Sequence, residues 1–191
     1  VPVTAACDVT NPLFGADGAA YVFAPQKGAN AEQVRALDLG LRHMSKILKR
    51  ELGFDFDNLP GAGAAGGLGA GAAAFLNARL KSGIDIVLDE SGFDELAKSA
   101  DVIVTGEGRF DSQSIRGKVM SGVCKRTAKS GAAVYAVCGC ASSDADPAEL
   151  GIKKLFVSSD GTRTMDELLI SCRRELYAAA TALAQELLKC D

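Results

Sequence analysis

The chain has 191 residues, 48% hydrophobic and 24% charged, a composition that excludes fibrous and disordered classes and leaves room for one full core or two small ones. With 21 Lys and Arg against 24 Asp and Glu and no long basic run, it lacks the footprint that binding a nucleic-acid backbone demands. No apolar stretch nears the roughly 20 residues that span a bilayer and no signal sequence opens the chain, so the reading is a cytoplasmic protein without nucleic-acid or membrane partners.

There is no initiator Met, and Val3 to Cys7 already reads as a strand in progress, so we expect a piece of something longer. Asp8-Val9-Thr10-Asn11-Pro12 turns the chain, and Asp17-Gly18 marks a second turn before Tyr21-Val22-Phe23, giving a polar loop at a strand end. Asn30, with Gln33 three residues on, caps a helix whose Val34, Leu37, Leu41, Met44 and Leu48 recur at helical spacing until Gly53. Arg35, Asp38, Arg42, Lys46 and Lys49 fall on its other faces and read as solvated. His43, the only histidine, lies among them as a surface residue, which removes Ser-His-Asp and Cys-His chemistry.

Residues 61 to 71 hold six glycines and nothing larger than one Leu, followed by helix formers from Ala72 to Leu80. Such a run either packs a helix closely through small residues or aims backbone N–H groups at a phosphate. Ile84 to Leu88 then reads as a strand and Phe93 to Ser99 as a short helix, while Val102-Ile103-Val104 reads as a strand buried on both faces. Lys118 to Lys129 reads as a helix, and Ala133 to Val137 and Leu155 to Val157 as strands. Thr164 and Glu167 form a capping box for a helix carrying Leu168, Leu169, Cys172, Leu176, Ala180, Leu183 and Leu187. This alternation predicts an α/β fold of mainly parallel sheets flanked by helices. A boundary near residues 89 to 100 divides a glycine-rich α/β portion, 1–95, from a doubly wound, Rossmann- or flavodoxin-like portion, 96–191. Cys7, Cys124, Cys138, Cys140, Cys172 and Cys190 are scattered and read as reduced thiols, and Cys138-Gly139-Cys140 is one residue short of a zinc or redox spacing.

In open α/β sheets ligands gather beyond the carboxyl ends of strands. There Val102 to Val104 runs into Thr105-Gly106-Glu107-Gly108-Arg109-Phe110-Asp111-Ser112 and on through Arg116-Gly117-Lys118. Carboxylates for Mg²⁺, cations for charge and glycines to admit phosphate are what phosphoryl transfer needs. The alternative is a charged surface loop whose members pair with one another. Gly61-x-Gly63-x-x-Gly66 follows Asp57 to Pro60 rather than a strand, so a dinucleotide fingerprint fails, and no P-loop is present. Asp8 suits a general base or an Mg²⁺ ligand, and Lys27 could reach a phosphate or a substrate carboxylate. An Asx-turn closed by Pro12 accounts for the first loop nearly as well on local grounds.

Four segments together carry a resemblance: Cys7-Asp8-Val9-Thr10-Asn11-Pro12-Leu13 with Gly18-Ala19-Ala20, then Pro25-Gln26-Lys27-Gly28-Ala29, then Pro60 to Gly67, then Thr105-Gly106-Glu107-Gly108-Arg109 with Asp111, Ser112, Gln113 and Gly117-Lys118. In order and spacing they resemble the bacterial glycerate kinase family, of the glycerate 2-kinase type, over most of the chain. The resemblance implies ATP and Mg²⁺ as cofactors, D-glycerate as substrate and 2-phosphoglycerate as product. It also implies a further N-terminal part, holding an Asp-Ser-Phe-Lys-Gly type segment and a Gly-Gly-Ser stretch, whose strands complete the sheet of residues 96–191, so that the isolated chain is expected to be inactive. Departures are Ala24 where Gly is usual, Phe110 for an aliphatic, and Cys138-Gly139-Cys140 where Gly, Ala or Ser is commoner.

Within that frame, residue type assigns Asp8 as base or Mg²⁺ ligand with Asn11 orienting it. Lys27 and Arg109 bear charge on phosphate or the glycerate carboxylate. Gly61, Gly63, Gly66, Gly67, Gly69, Gly106, Gly108 and Ser112 contact the nucleotide, and Glu107 with Asp111 holds Mg²⁺. Competing expectations are a non-catalytic phosphate- or nucleotide-binding domain, a kinase giving 3-phosphoglycerate, and a transferase acting on another small hydroxy acid. A homo-oligomer stays open.

Overall fold

The computed structural model describes residues 1–115, 119–159 and 161–189. Its contacts divide the chain into two compact units, Val1–Ile86 and Val87–Asp191.

In the first unit, strand β1 (Thr4–Ala6) leads into the polar loop, and helix α1 (Ala19–Phe23) takes up Tyr21 to Phe23. Helix α2 (Ala31–Leu52) begins at the expected box: the Asn30 side chain accepts the Gln33 N–H and the Gln33 side chain accepts the Asn30 N–H, both at 2.9 Å. Val34 and Leu48 are buried, whereas Leu37 and Met44 of the same stripe stay half exposed along an open cleft. Helix α3 (Leu68–Leu76) follows the glycine run and stops at Asn77, whose φ of 50° breaks the ladder. The expected helix to Leu80 therefore ends early, and β2 (Arg79–Lys81) lies parallel to β1 with Thr4 opposite Arg79. Leu13, Leu48, Phe56, Ala62 and Ala70 form the core of this unit.

Ile84 to Leu88, read as a strand, belongs to helix α4 (Gly83–Glu90). The reason is at its start: Ser82 Oγ accepts the Asp85 N–H at 3.2 Å, and Asp8 Oδ1 accepts the Gly83 N–H at 2.7 Å, so orphan donors of the first turn find acceptors.

The second unit opens with α5 (Phe93–Lys98) and builds a three-stranded parallel sheet from β3 (Val102–Phe110), β4 (Ala133–Ala141) and β5 (Ile152–Val157), in that order. Between β3 and β4 lie α6 (Ser112–Ile115) and α7 (Val119–Thr127); α8 (Met165–Leu187) comes last. Successive strand residues face opposite ways, and the two faces are filled accordingly. Val134, Ala136 and Cys138 join Phe110, Met120, Cys124 and Ile152 on the α7 side, and Tyr135 and Phe156 meet Ala179 and Leu183 of α8 on the other. Helices on both faces of a parallel sheet give the α/β class that the alternation predicts.

Two expectations change here. β3 continues to Phe110, so Thr105 to Phe110 is strand rather than loop, held by pairing of Gly106, Glu107, Arg109 and Phe110 with β4. Val102 and Val104 are 36% and 51% exposed, so β3, an edge strand among the described residues, is not covered on both faces. The capping box of α8 is present, with the Thr164 N–H donating to Glu167 Oε2 at 2.8 Å, yet Leu169 and Leu176 of its stripe are exposed and Ala179 is buried in place of Ala180. Arg116, Gly117, Lys118 and Cys190 lie outside the described residues. Cys7, Cys124, Cys138, Cys140 and Cys172 are free thiols; burial pushes Cys138 up to about 11, so it is protonated and inert at neutral pH. Among the described residues no helix is long and apolar enough to cross a membrane.

Candidate functional site

In the first unit the loop after β1 and the glycine run fold onto each other. The Gly63 N–H donates to the Asn11 carbonyl at 3.0 Å, and a Cβ on Gly63 would run into the Pro12 carbonyl oxygen. Gly61 lies against Cys7 and Val9, and a Cβ on Gly69 would strike the Gly61 carbonyl. Gly61, Gly63 and Gly69 are buried, so close packing accounts for these three. Ala65 and Gly66 form an exposed tip, both left-handed, and an L-residue held at φ 50° costs roughly 1–2 kcal/mol. Gly67 donates its N–H to the Ala64 carbonyl at 3.2 Å and precedes the first turn of α3. Of the five glycines expected to meet phosphate, Gly66 and Gly67 are the pair the fold leaves near the surface.

Asp8 is exposed at the end of β1 and spends Oδ1 on the Gly83 N–H; among the described residues no donor meets Oδ2. Asn11 does not orient it. The Asn11 NH₂ donates to the Asp17 carbonyl at 2.8 Å, closing its own loop. Lys27 is exposed at the rim of a cleft of about 520 Å³ between α1 and α2, walled by Phe23, Leu37, Leu41 and Met44 with Gly66 at one side.

In the second unit Glu107 sits on β3 opposite Cys138, and its Oε1 is buried with no hydrogen-bond partner among the described residues. Such an orphan costs roughly 1–3 kcal/mol or more unless something binds there. Asp111 is differently placed. Its Oδ1 accepts the N–H of Gln113 at 2.9 Å and of Ser114 at 3.3 Å, capping α6, and its Oδ2 lies 3.7 Å from Arg109 Nε. Ser112, expected at the nucleotide, lies near Asp144; the Ser142 and Ser112 hydroxyls beside it hold the Asp144 carboxyl below the usual carboxylate range. The Arg109 side chain is largely exposed. A Cβ on Gly106 would collide with the Val137 carbonyl and one on Gly139 with the Gly108 carbonyl, so these glycines let β3 and β4 approach where the strands end. No group of three His, Cys, Asp or Glu side chains gathers into a metal cage among the described residues.

Residues 1–188 match the model of the glycerate kinase family. The chain belongs to that family. It is 44% identical over 185 residues to the glycerate kinase of Halalkalibacterium halodurans, covering 96% of this chain and 49% of that protein. It is 41% identical over 185 residues to the glycerate 2-kinase of Escherichia coli K12, covering 94% and 49%. A solved structure from Salmonella typhimurium LT2, described as a candidate glycerate kinase 2, superposes with a TM-score of 0.76 at 36% identity, over 97% of this chain and 50% of that one. The chain thus spans about half the length of the relatives it matches.

Three residues of this family member escaped the sequence reading. Asp38, placed among solvated charges, is 4% exposed. Ser114 is fully buried; its Oγ donates to the Arg109 carbonyl at 3.2 Å and accepts the Asp111 N–H at 3.1 Å, clasping the turn after β3. Asp144 drew no attention because it lies outside every motif. Only its place beside Ser112 gives it meaning, although an Asp-rich turn after a strand was a local signal for caps.

Proposed function

We propose that the protein carrying this chain is a cytoplasmic glycerate kinase that transfers the γ-phosphoryl group of ATP to the 2-hydroxyl of D-glycerate, giving ADP and 2-phosphoglycerate. The observation that carries this reading is the likeness over residues 1–188 to glycerate kinases, one of them a glycerate 2-kinase. In phosphoryl transfer the work is mostly positioning and charge neutralisation.

Asp8 Oδ2 takes the proton of the attacking hydroxyl, while Oδ1 stays fixed on Gly83. Lys27 and Arg109, both exposed cations, bear charge on the phosphates or on the glycerate carboxylate. The exposed tip at Ala65 and Gly66, with Gly67 leading into α3, offers backbone to phosphate, and Gly61, Gly63 and Gly69 hold that tip in shape. For Mg²⁺ the donor set fits in part: the unpartnered Oε1 of Glu107 suits a hard cation, which commonly uses one or two carboxylates together with substrate phosphates. When bound, the ion neutralises charge on the transferring phosphate. Asp111 we assign to capping α6 and steadying Arg109 instead.

The test is a coupled ADP-release assay on the full-length protein with D-glycerate, ATP and Mg²⁺, followed by ³¹P NMR of the product. A 2-phosphoglycerate signal supports the reading. A 3-phosphoglycerate signal moves the attacking hydroxyl, and nucleotide binding without turnover would leave a binding domain.

A further inference from the structure

A buried charge in the first unit plays no part in those roles. Asp38 Oδ1 accepts the Gly15 N–H at 2.7 Å, and Oδ2 accepts Nε of Arg42, also at 2.7 Å. The Arg42 guanidinium in turn lies 4.5 Å over the ring of Phe14. Removing a carboxylate from water is costly even when it is paired, and an apolar side chain of similar size commonly serves stability as well. What an apolar residue could not do at position 38 is hold a backbone N–H of the loop after β1.

That N–H belongs to the hub of the loop. Gly15, at φ 96°, accepts the Gly18 N–H at its carbonyl, and Leu13 beside it is 1% exposed in the core. The same segment holds Asn11, pinned through its carbonyl to Gly63 and through its NH₂ to Asp17. Upstream, Asp8 is tied to Gly83. Four of these ties join loop residues to one another or to the glycine run and α4; the tie from Asp38 anchors the loop to the long helix α2.

We propose that Asp38 is a positioning residue for the loop from Asp8 to Gly18: through the Gly15 N–H it fixes the loop to α2 and so sets where Asp8 stands. The proposal rests on the assignment of Asp8 to the glycerate kinase reaction.

The experiment compares Asp38→Leu, Asp38→Asn and Arg42→Gln in the full-length protein. Leu keeps the bulk and the helix propensity but offers no acceptor; Asn keeps an oxygen for Gly15; Arg42→Gln removes the ion pair and leaves the Gly15 tie. A misplacement of this kind lowers kcat by about 10–100-fold, so Asp38→Leu should show that loss with KM for ATP within about twofold of wild type and faster amide exchange at Gly15 and Gly18. Asp38→Asn should recover most of kcat, and Arg42→Gln should stay near wild type. The proposal is overturned if folded Asp38→Leu keeps wild-type kcat, or if Asp38→Asn is as impaired as Asp38→Leu. It is overturned equally, without any variant, if the Gly15 amide of the wild-type protein exchanges as freely as an unstructured loop. Should the wild-type protein turn over no glycerate, the functional reading falls alone, and amide exchange at Gly15 in Asp38→Asn and Asp38→Leu still decides on the tie.

Discussion

Glu107 and Asp111 are both carboxylates four residues apart, yet their surroundings give them opposite consequences on substitution. Glu107→Gln removes a charge whose Oε1 meets no donor among the described residues, so the full-length protein should keep its melting temperature while the Mg²⁺ needed for half-maximal rate rises by at least the roughly tenfold that losing an outer-sphere partner costs. Asp111→Ala removes the cap of α6 and should cost about 1 kcal/mol of stability with the Mg²⁺ requirement unchanged. Swapped outcomes in a magnesium titration and a melt would reverse the assignment. Asp8→Asn retains an oxygen for the Gly83 N–H, so the fold should hold while kcat drops by about two orders of magnitude or more; near-normal turnover would remove Asp8 as the base. Residue types made these candidates visible in the sequence. Their neighbours did not show: nothing in the string separates an orphaned Glu107 from a capping Asp111, or a buried Asp38 from the solvated charges around it, because those differences arise from chain segments far apart.

The long helices were legible because their start signals are local: Asn30 with Gln33 and Thr164 with Glu167 each satisfy orphan donors within one turn. Ile84 to Leu88 suits either state, because four apolar residues around Asp85 are too short a pattern to choose, and what decides it is a cap from Asp8 in a distant loop. β3 and β4 read too short since glycines and charges are poor strand formers, whereas the pairing with a neighbour carries them to Phe110 and Ala141. The glycines divide by the same logic of surroundings. Gly69→Ala would drive a methyl into the Gly61 carbonyl and should cost about 1–3 kcal/mol. Gly40→Ala, in the interior of α2 with nothing near the added carbon, should stabilise by about 0.5–1 kcal/mol. Calorimetry of the pair would expose an error in either direction. Between α5 and α7, Arg126 donates through Nε and Nη2 to both oxygens of Asp94 at 2.7 Å, which holds the Asp94 carboxyl below its ordinary value. A lowered folded pKa contributes stability that is complete above the unfolded value of about 3.9 and is lost as pH falls through the folded one. The melting-temperature gap between wild type and Asp94→Asn should therefore be flat near neutral pH and close in acid below about pH 4. A gap that widens on acidification contradicts this.

At the scale of the whole molecule, this chain alone leaves apolar surface uncovered. Leu169, Ile170, Leu176 and Tyr177 line one side of α8 and are 55% to 88% exposed, a larger apolar patch than isolated surface residues explain. The 191-residue chain should self-associate in sedimentation runs as concentration rises, and Ile170→Glu with Tyr177→Glu should weaken that association without lowering the melting temperature. An unchanged sedimentation profile would show that the patch is not the contact. The parallel pairing of β1 with β2 also orders events in time. β3, β4 and β5 meet near neighbours in the chain, whereas Thr4 must wait for Arg79. At a synthesis rate of about 5–20 residues per second, β1 waits several seconds for β2 while roughly 75 residues of loop, helix and glycine run are made. Closing that long loop also carries an entropic barrier that the later sheet avoids. Within this chain, the unit made first is thus the one whose strand ladder closes more slowly.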